Sequence, residues 1–495
     1  MLYLYPLLLS LYPPLFYLSH NLHHALPGEI LPLIYSTPIA ALLLLFGFWF
    51  LVRDRNKAAL MVSWTIMLFF TYGHLLRGLR LLIPNSILVQ GNLPLYTLWL
   101  ILLFLGLYLI KKIRLSLDAI TSIMSLVTVV LLIFPLYNIL YYQLNRPGNV
   151  ETEMSADQKL RVPEPAPDIY YLILDGYASS STLKKLYGTP NQDFYQQLEE
   201  RGFQLKEDGY SNYALTFLSL ASSLNMDYLK NLIPLPAGRN QLKPYQLIDN
   251  SRVFHAFNQL GYTTINYDSG WSGTISNSRA EYNPSPGSTH NHFLYQTLRT
   301  TMLRPLISGD RARERIIFTL SSLAEIGEKK EGPVFAMAHL LPPHPPYLFD
   351  SQGKAIHKGK RDLAGDLWQY REEYIEQLKY INQEILQLID RLKESEGPSP
   401  IIILQADHGP ASLGEWEHPS AEFIQERMGI LLALKLPETD NMKLEIKTPI
   451  NIFPLIFNMY FNGQLPLLEE KVLFSSYHQP YQLKDVSSLC LPESE

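Results

Sequence analysis

Five long runs without Asp, Glu, Lys or Arg fill most of the first 145 residues, and they constrain the fold more than any other feature. The runs cover residues 2–18, 31–52, 58–76, 93–110 and about 120–144. Each has roughly 17–25 residues, the length that crosses a bilayer. The first run has no basic segment before it and no small-residue cleavage site after it, which favours a retained helix over a signal peptide. The sequence therefore predicts about five transmembrane helices over residues 1–145.

The Lys and Arg residues of the connecting loops predict the orientation of these helices. Six of them lie at 53–57 and 111–114, whereas the alternate loops hold only Arg77 and Arg80. Loops rich in Lys and Arg stay on the cytoplasmic side. We therefore expect a cytoplasmic amino terminus in the cell (inner) membrane, and an extracytoplasmic domain after residue 145.

The composition changes at this point, and a second domain of α/β class is predicted. Residues 146–167 end in a Pro-rich stretch typical of a semi-rigid linker. From 168 to 495, apolar runs at 169–174, 262–267, 333–338, 400–406 and 429–435 indicate strands that alternate with helical patterns. This alternation favours a mostly parallel sheet covered by helices. Residues 270–315 show weak periodicity and are either a long loop over the site or an insertion.

Acidic residues follow two of the predicted strands. Asp175 follows Ile169–Leu174, and the pair Asp407 and His408 follows the strand at 400–406. Open α/β sheets place their sites at the carboxyl ends of the strands. His339 and His344 follow the strand at 333–338, where four prolines around His344 make a stiff loop.

These residue types suit metal-assisted attack on a phosphate or sulfate ester. Asp175, Asp407 and His408 offer oxygen and nitrogen ligands, and the hydroxyl of Thr216, near a predicted helix start, is a nucleophile that a metal can activate. The mixed ligand set favours one or two Zn²⁺ or Mn²⁺ ions, with Mg²⁺ as an alternative. His339 or His344 could bind the transferring group or protonate the leaving oxygen.

These motifs resemble the sulfatase-like branch of the alkaline phosphatase superfamily, and the layout is similar to lipoteichoic acid synthase and phosphoethanolamine transferases. The resemblance implies that Asp175, Thr216, Asp407 and His408 bind one metal, that Thr216 becomes phosphorylated and that His344 faces the substrate. It also suggests a substrate-side role for His418. By analogy, the donor is a membrane lipid and the acceptor an envelope glycan or lipid, with a phosphoglycerol- or phosphoethanolamine-like group transferred.

Departures from the family patterns keep alternatives open. The ligand at Asp175 is often Glu in the two transferases named. No Cys/Ser-x-Pro-x-Arg frame surrounds Thr216, which disfavours sulfate hydrolysis through formylglycine. The single cysteine, Cys490, excludes an intrachain disulfide and a Cys-rich zinc site. The alternatives are a phosphodiesterase or sulfuric ester hydrolase with water as acceptor, and a non-catalytic envelope scaffold. A net charge of −5 gives no reason to expect nucleic acid as a partner.

Overall fold

The computed structural model contains two compact units. It describes residues 2–491 except 21, 23–29, 84–85, 87, 89–91, 145–159, 208, 236–237, 287–291, 305–310, 327–331, 357–366, 395–396 and 438–444. The first unit is formed by residues 1–147 and 289–309, and the second by residues 148–288 and 310–495. The predicted domain bounds, 1–145, 146–167 and 168–495, stay a prediction; by their contacts, the described residues 292–304 belong to the first unit.

The first unit is a bundle of apolar helices. They are α1 (Tyr5–His20), α2 (Leu31–Val52), α3 (Arg55–Leu82), α4 (Asn92–Lys112) and α5 (Asp118–Leu144). The start of α3 is fixed by Asp54, whose carboxylate accepts hydrogen bonds from the N–H groups of Asn56 and Lys57.

Four of these five helices, α2 to α5, are long and apolar enough to cross a membrane in the described part of the chain. They correspond to the second to fifth of the about five predicted spans. Helix α1 has only 16 residues and contains Pro13 and Pro14, so it falls just short of the usual length of roughly 17–25. If the loops at 53–57 and 111–114 are cytoplasmic, as predicted, α5 ends on the opposite side with four spans as with five, but with four the residues before α2 lie on that opposite side too.

The second unit contains the remaining strands and helices, except α12, which lies in the first unit. The strands are β1 (Ile169–Leu174), β2 (Phe203–Leu205), β3 (Gly209–Tyr210), β4 (Thr263–Tyr267), β5 (Val334–Leu340), β6 (Ile401–Gln405), β7 (Gly429–Ile430), β8 (Leu432–Lys435), β9 (Leu473–Phe474) and β10 (Lys484–Asp485). The helices are α6 (Ser180–Tyr187), α7 (Gln192–Glu200), α8 (Thr216–Ser223), α9 (Leu229–Leu232), α10 (Leu242–Asp249), α11 (Arg252–Gln259), α12 (His292–Arg299), α13 (Arg311–Ala324), α14 (Arg371–Glu394), α15 (Ala421–Met428), α16 (Ile452–Tyr460) and α17 (Ser487–Cys490).

The central sheet has six strands in the order β2-β8-β6-β1-β5-β4, which confirms the predicted α/β class. Strands β6, β1, β5 and β4 run parallel, and β8 and β2 continue the sheet with antiparallel pairings. All six residues of β1 are buried because helices cover both faces of the sheet. The alternation of β1 sends Tyr170, Leu172 and Leu174 into one core and Ile169, Tyr171 and Ile173 into the other.

The structure describes part of the predicted linker, residues 146–167, and most of the stretch of weak periodicity, residues 270–315. Most of the linker at 146–167 lies outside the described residues, but the N–H of Arg161 donates to the carbonyl of Phe461, which ties its end to the second unit. Within 270–315, Trp271 and Thr274 contact His339. Helices α12 and α13 lie further along, so the stretch is neither one loop nor one insertion.

Candidate functional site

Asp175 lies at the carboxyl end of β1, as predicted from the apolar run before it. Its N–H donates to the carbonyl of Leu340 at 3.0 Å, which continues the pairing of β1 with β5 by one residue. The carbonyl of Asp175 accepts from the N–H of His344 at 3.1 Å. The backbone is therefore held on both sides, and the carboxylate is buried beyond the sheet edge, only 4% exposed.

Asp407 and His408 follow the neighbouring strand β6 and are completely buried. The N–H of Gly176 donates to Oδ1 of Asp407 at 3.1 Å, across 231 positions of sequence. Nδ1 of His408 lies 3.0 Å from the carbonyl of Gly409, an acceptor, so Nδ1 carries the proton. This tautomer leaves Nε2 of His408 with a lone pair directed toward the other site residues.

Thr216 is the first residue of α8, and its hydroxyl oxygen lies 3.0 Å from Nε2 of His408. The neighbouring serines are engaged with backbone carbonyls: Ser211 with Tyr213, Ser222 with Asp227 and Ser223 with Ser219. Ser219 exchanges a hydrogen bond with Ser211. Among these five hydroxyls, only that of Thr216 is bonded to an imidazole of the buried cluster.

The four predicted ligands meet in one place. Nε2 of His408 lies 3.6 Å from Oδ1 of Asp175 and 3.2 Å from Oδ2 of Asp407. Ligand atoms of Asp175, Asp407 and His408 all lie within 4.8 Å of one another. Oδ1 of Asp175 and Oδ2 of Asp407 are buried without a hydrogen-bond partner, a costly arrangement for a carboxylate. Two such oxygens, an imidazole nitrogen and a hydroxyl fit a divalent cation of the Zn²⁺ or Mn²⁺ type.

The surroundings of the two carboxylates shift their pKa values in opposite directions. Burial by itself would raise the pKa of Asp175, but the imidazoles of His344, His339 and His408 bring it below its usual range. Burial, and next the charge of Asp175, raise the pKa of Asp407 to about 7. Burial, and next the guanidinium of Arg427, hold the pKa of His408 well below its ordinary value, which keeps the ring neutral. A cation bound here would offset the repulsion between the two carboxylates.

His339 and His344 both lie beside this cluster. His339 is buried at the end of β5, with Nε2 3.6 Å from Oδ2 of Asp175 and Nδ1 2.8 Å from the hydroxyl of Thr274. His344 is half-buried; its ring centroid is 6.2 Å from that of His408 and 4.7 Å from that of Trp368. His344 is thus the more accessible imidazole, whereas His339 is locked between Asp175 and Thr274.

His418 lies apart from these contacts. It is exposed in the loop before α15, and no hydrogen bond or ring contact joins it to the cluster in the described part of the chain. A role for His418 stays a prediction.

Arg427 is a residue that the sequence did not point to. It is fully buried, and its guanidinium donates at 2.8 Å to the carbonyls of Ala214 and Gly409, so it connects the segments that carry Thr216 and His408. Arg427 lies just before a buried strand, and no sequence motif around it indicates a role in the site. Trp271, whose ring packs edge-on against His339 at 5.6 Å, was hidden in the aperiodic stretch.

Comparison with known proteins gives one family match and several partial structural likenesses. The family model described as Sulfatase matches residues 167–431, more than half of the 495 residues. No curated protein sequence matches the chain significantly.

Two solved structures illustrate the likeness. The C-terminal periplasmic domain of EcEptC from Escherichia coli, in complex with Zn, is 14% identical, with 68% of this chain and 97% of that chain covered and a TM-score of 0.43. The integral membrane lipooligosaccharide phosphoethanolamine transferase A from Neisseria meningitidis is 13% identical, with 92% and 95% covered and a TM-score of 0.42.

Proposed function

The chain belongs to the sulfatase family, and we propose that it is a membrane-anchored, metal-dependent phosphotransferase that works through a phospho-threonine intermediate. It is an enzyme of the transferase or hydrolase kind, as the family match over residues 167–431 indicates. The alternative of a non-catalytic scaffold leaves the paired, buried and unpartnered carboxylate oxygens without a purpose.

The observation that carries the proposal is the environment of the Thr216 hydroxyl. It lies 3.0 Å from Nε2 of His408. The unpartnered oxygens of Asp175 and Asp407 lie 3.6 and 3.2 Å from the same nitrogen. A Thr hydroxyl is a weak nucleophile until a base or a cation withdraws its proton. Here the atoms that would hold a cation surround the same oxygen, which favours Thr216 as the attacking group.

Asp175, Thr216, Asp407 and His408 would hold the divalent cation, which when bound supplies positive charge to a non-bridging phosphoryl oxygen and lowers the pKa of the Thr216 hydroxyl. Zn²⁺ or Mn²⁺ suits this set of oxygen and nitrogen ligands best, and a second ion is not required by the residues present.

The chain's own residues account for the covalent step. The oxygen of Thr216, whose hydroxyl has lost its proton to solvent before the attack, forms a bond to phosphorus while the bond from phosphorus to the lipid alcohol breaks. His344, the more accessible imidazole, donates a proton to the departing alcohol. An acceptor hydroxyl then attacks phosphorus, returns a proton to His344 and frees the oxygen of Thr216. His339, held by Thr274, keeps the carboxylate of Asp175 in place.

The donor is proposed to be a membrane phospholipid, and the acceptor an envelope glycan or lipid outside the cytoplasm. Four helices able to cross a membrane precede the catalytic domain, and they keep that domain at a bilayer surface. The Lys and Arg residues at 53–57 and 111–114 favour the cytoplasm for those loops, which directs the catalytic domain to the opposite side. The substrate headgroup is phosphoglycerol- or phosphoethanolamine-like.

Intact-mass analysis of the full-length protein in phospholipid vesicles tests this proposal. Vesicles of phosphatidylethanolamine or phosphatidylglycerol, each supplied with Zn²⁺, should give a mass increase equal to one phosphorylated headgroup. Thr216→Ala should abolish the adduct. Ser223→Ala, which removes a hydroxyl from the same helix, should keep it because that hydroxyl is bonded to the carbonyl of Ser219.

Two other outcomes of the intact-mass experiment would contradict the proposal. An adduct that survives in Thr216→Ala would move the nucleophile to another residue and overturn the intermediate proposed here. Release of the headgroup to water, with no transfer to added glycan or lipid acceptors, would favour the phosphodiesterase or sulfatase-like hydrolase instead.

A further inference from the structure

A cavity of about 810 Å³ lies inside the first unit, between α1, α3 and α5. Its lining runs along α3 from Leu60 to His74, which is about 21 Å at 1.5 Å per residue. One leaflet of a bilayer is about 15 Å deep, half of the roughly 30 Å hydrocarbon core. The cavity is therefore long enough to hold the hydrocarbon chain of a lipid.

The wall of this cavity is apolar even where it carries hydroxyl groups. Ser63 donates to the carbonyl of Ala59, Thr71 to that of Met67 and Thr128 to that of Met124, each at 2.7–2.9 Å. Each hydroxyl is used within its own helix, so it offers no donor to the interior. The exposed side chains of Phe16, Met67 and Val127 lie on the same lining, so the cavity opens toward the lipid-facing surface of the bundle.

One end of the cavity differs, because α12 and the residues after it contribute to it. Thr297 is 2% exposed and lines the cavity, and its hydroxyl has no hydrogen-bond partner. Thr300, also in the lining, donates its hydroxyl to the carbonyl of Thr297. A buried hydroxyl without a partner costs roughly 1–3 kcal/mol. A ligand with an acceptor oxygen at this end would remove that cost.

This end is firmly built into the bundle. The N–H of Gly73 donates to the carbonyl of Thr300, and the carbonyl of Phe69 accepts from the N–H of Met302, both at 2.8 Å. Phe69 and Gly73 are four residues apart on α3 and would ordinarily bond only with each other. A Cβ at position 73 would lie 2.6 Å from the carbonyl oxygen of Arg299, so the close approach requires glycine. The segment around Thr297 is thus a fixed part of the cavity.

We propose that this cavity binds one acyl chain of a membrane glycerophospholipid, with an ester carbonyl of that lipid accepting the hydroxyl of Thr297. The apolar wall excludes water and suits a hydrocarbon chain. The ester supplies the acceptor that Thr297 lacks, and the lateral opening admits a molecule from the bilayer. The claim that the bound lipid is also the donor of the reaction rests on the proposed function.

A photoactivatable phospholipid with a diazirine in the middle of one acyl chain tests the inference. The full-length protein is reconstituted in vesicles that carry the probe as phosphatidylethanolamine or as phosphatidylglycerol. We expect cross-links on α3 between Leu60 and His74 and on α5 between Met124 and Leu131. Labelling with either headgroup supports the cavity, and the ratio of the two yields shows which headgroup is preferred.

Two valines of α5 give a matched pair of variants. Val127 and Val129 are similarly exposed, at 42% and 48%, but only Val127 lines the cavity. We expect Val127→Trp to lower the cross-linking yield at least fivefold and Val129→Trp to leave it unchanged. Equal labelling in the two variants, or uniform labelling around the bundle, would show annular lipid only and overturn the proposal. Cross-links to a second copy of the chain would overturn it as well.

Two further variants separate this inference from the proposed function. Thr297→Val keeps the shape of the side chain and removes the hydroxyl, so the yield should fall about threefold; an unchanged yield would contradict the role given to that hydroxyl. Thr216→Ala should be labelled as strongly as the wild type. Labelling of the cavity without any adduct on Thr216 in the wild type would refute the phospho-threonine mechanism and leave the lipid site standing.

Discussion

The two units use polar side chains in opposite ways. At the edge of the central sheet, buried polar groups contact partners far away in sequence: Thr216 and His408 are 192 positions apart, and Gly176 and Asp407 are 231 apart. In the membrane unit, the hydroxyls of Ser63, Thr71 and Thr128 are bonded four residues back in their own helices. The first arrangement concentrates reactive groups, and the second hides them.

This contrast indicates a division of labour. Chemistry needs several groups at one point, and only tertiary folding brings them together. Holding a lipid chain needs an apolar wall, which helices supply by satisfying their own hydroxyls. Changes at the sheet edge should therefore abolish turnover without altering lipid labelling, whereas changes in the bundle should lower lipid labelling without altering the metal content of the sheet edge.

The largest expected effect is that of Asp175→Asn on headgroup transfer. The substitution removes one of the two ligand carboxylates, and we expect kcat to fall by about 10³-fold, the upper end of the roughly 10²–10³-fold loss that follows removal of one group of this kind. Release of a fluorescent phospholipid headgroup measures it. Asp390→Asn, which affects a half-exposed residue paired with Arg201, should retain activity. Reduced lipid photolabelling in Asp175→Asn would contradict the assignment of catalysis and lipid binding to different units.

A smaller effect is expected for Arg427→Met, because Arg427 positions the site without touching the substrate. Loss of its donors frees the carbonyls of Ala214 and Gly409, and a misplacement of about 1 Å can cost roughly 10²-fold in rate. We expect kcat to fall about that much with KM little changed, and Tm to fall as well. Arg427→Lys retains the charge and should lose less. Equal kcat in all three proteins would remove Arg427 from the positioning network.

Metal affinity should depend on pH through Asp407. Because burial and Asp175 raise the pKa of Asp407 to about 7, the metal-free protein holds a proton there below that pH, and a cation must displace it. Exchange of one proton makes affinity rise about tenfold per pH unit up to the pKa and level off above it. Zinc-competition titrations at pH 5.5, 6.5 and 8 measure this slope. A flat profile from pH 5.5 to 6.5 would show that Asp407 is already ionised.

The smallest effect concerns a pair of glycines on α3. Gly73→Ala places a Cβ 2.6 Å from Arg299 and Thr300, whereas Gly78→Ala meets nothing within 4 Å. We expect the amide of Met302, which is bonded to Phe69, to exchange hydrogen about fivefold faster in Gly73→Ala, since losing one hydrogen bond costs about 1 kcal/mol. Gly78→Ala should leave it unchanged. Similar hydrogen exchange at the amide of Met302 in both variants would show that the packing of Thr300 and Met302 against α3 does not require glycine at position 73.

Much of the second unit could be predicted from sequence because its central strands are continuous apolar runs. Strands β1, β4, β5 and β6 lie within one or two residues of their predicted bounds, and Asp175 and the pair Asp407 and His408 lie just after β1 and β6. The short strands β2, β3, β9 and β10 were missed, since two or three residues are too few to show a period. The first predicted span, at residues 2–18, differs from α1 at Tyr5–His20 because composition alone does not show where an α-helix begins and ends.

Other parts of the site could not be predicted, because they depend on tertiary contacts. Arg427 gains its place from two carbonyls in other segments, and Thr274 gains its place from His339. Gly73 is in close contact with Arg299 and Thr300, which are more than 200 positions away. None of these pairs leaves a local pattern in the chain.

The central claim is that Asp175, Thr216, Asp407 and His408 hold one cation together, and the metal content of Asp407→Asn tests it most directly. The full-length protein is loaded with Zn²⁺, freed of excess by gel filtration and analysed by elemental mass spectrometry beside the wild type and Asp390→Asn. We predict a stoichiometric ion in the wild type and in Asp390→Asn, and a strong loss in Asp407→Asn. Full occupancy in Asp407→Asn would contradict the account, because the ion would then be held without the carboxylate on which the site is built.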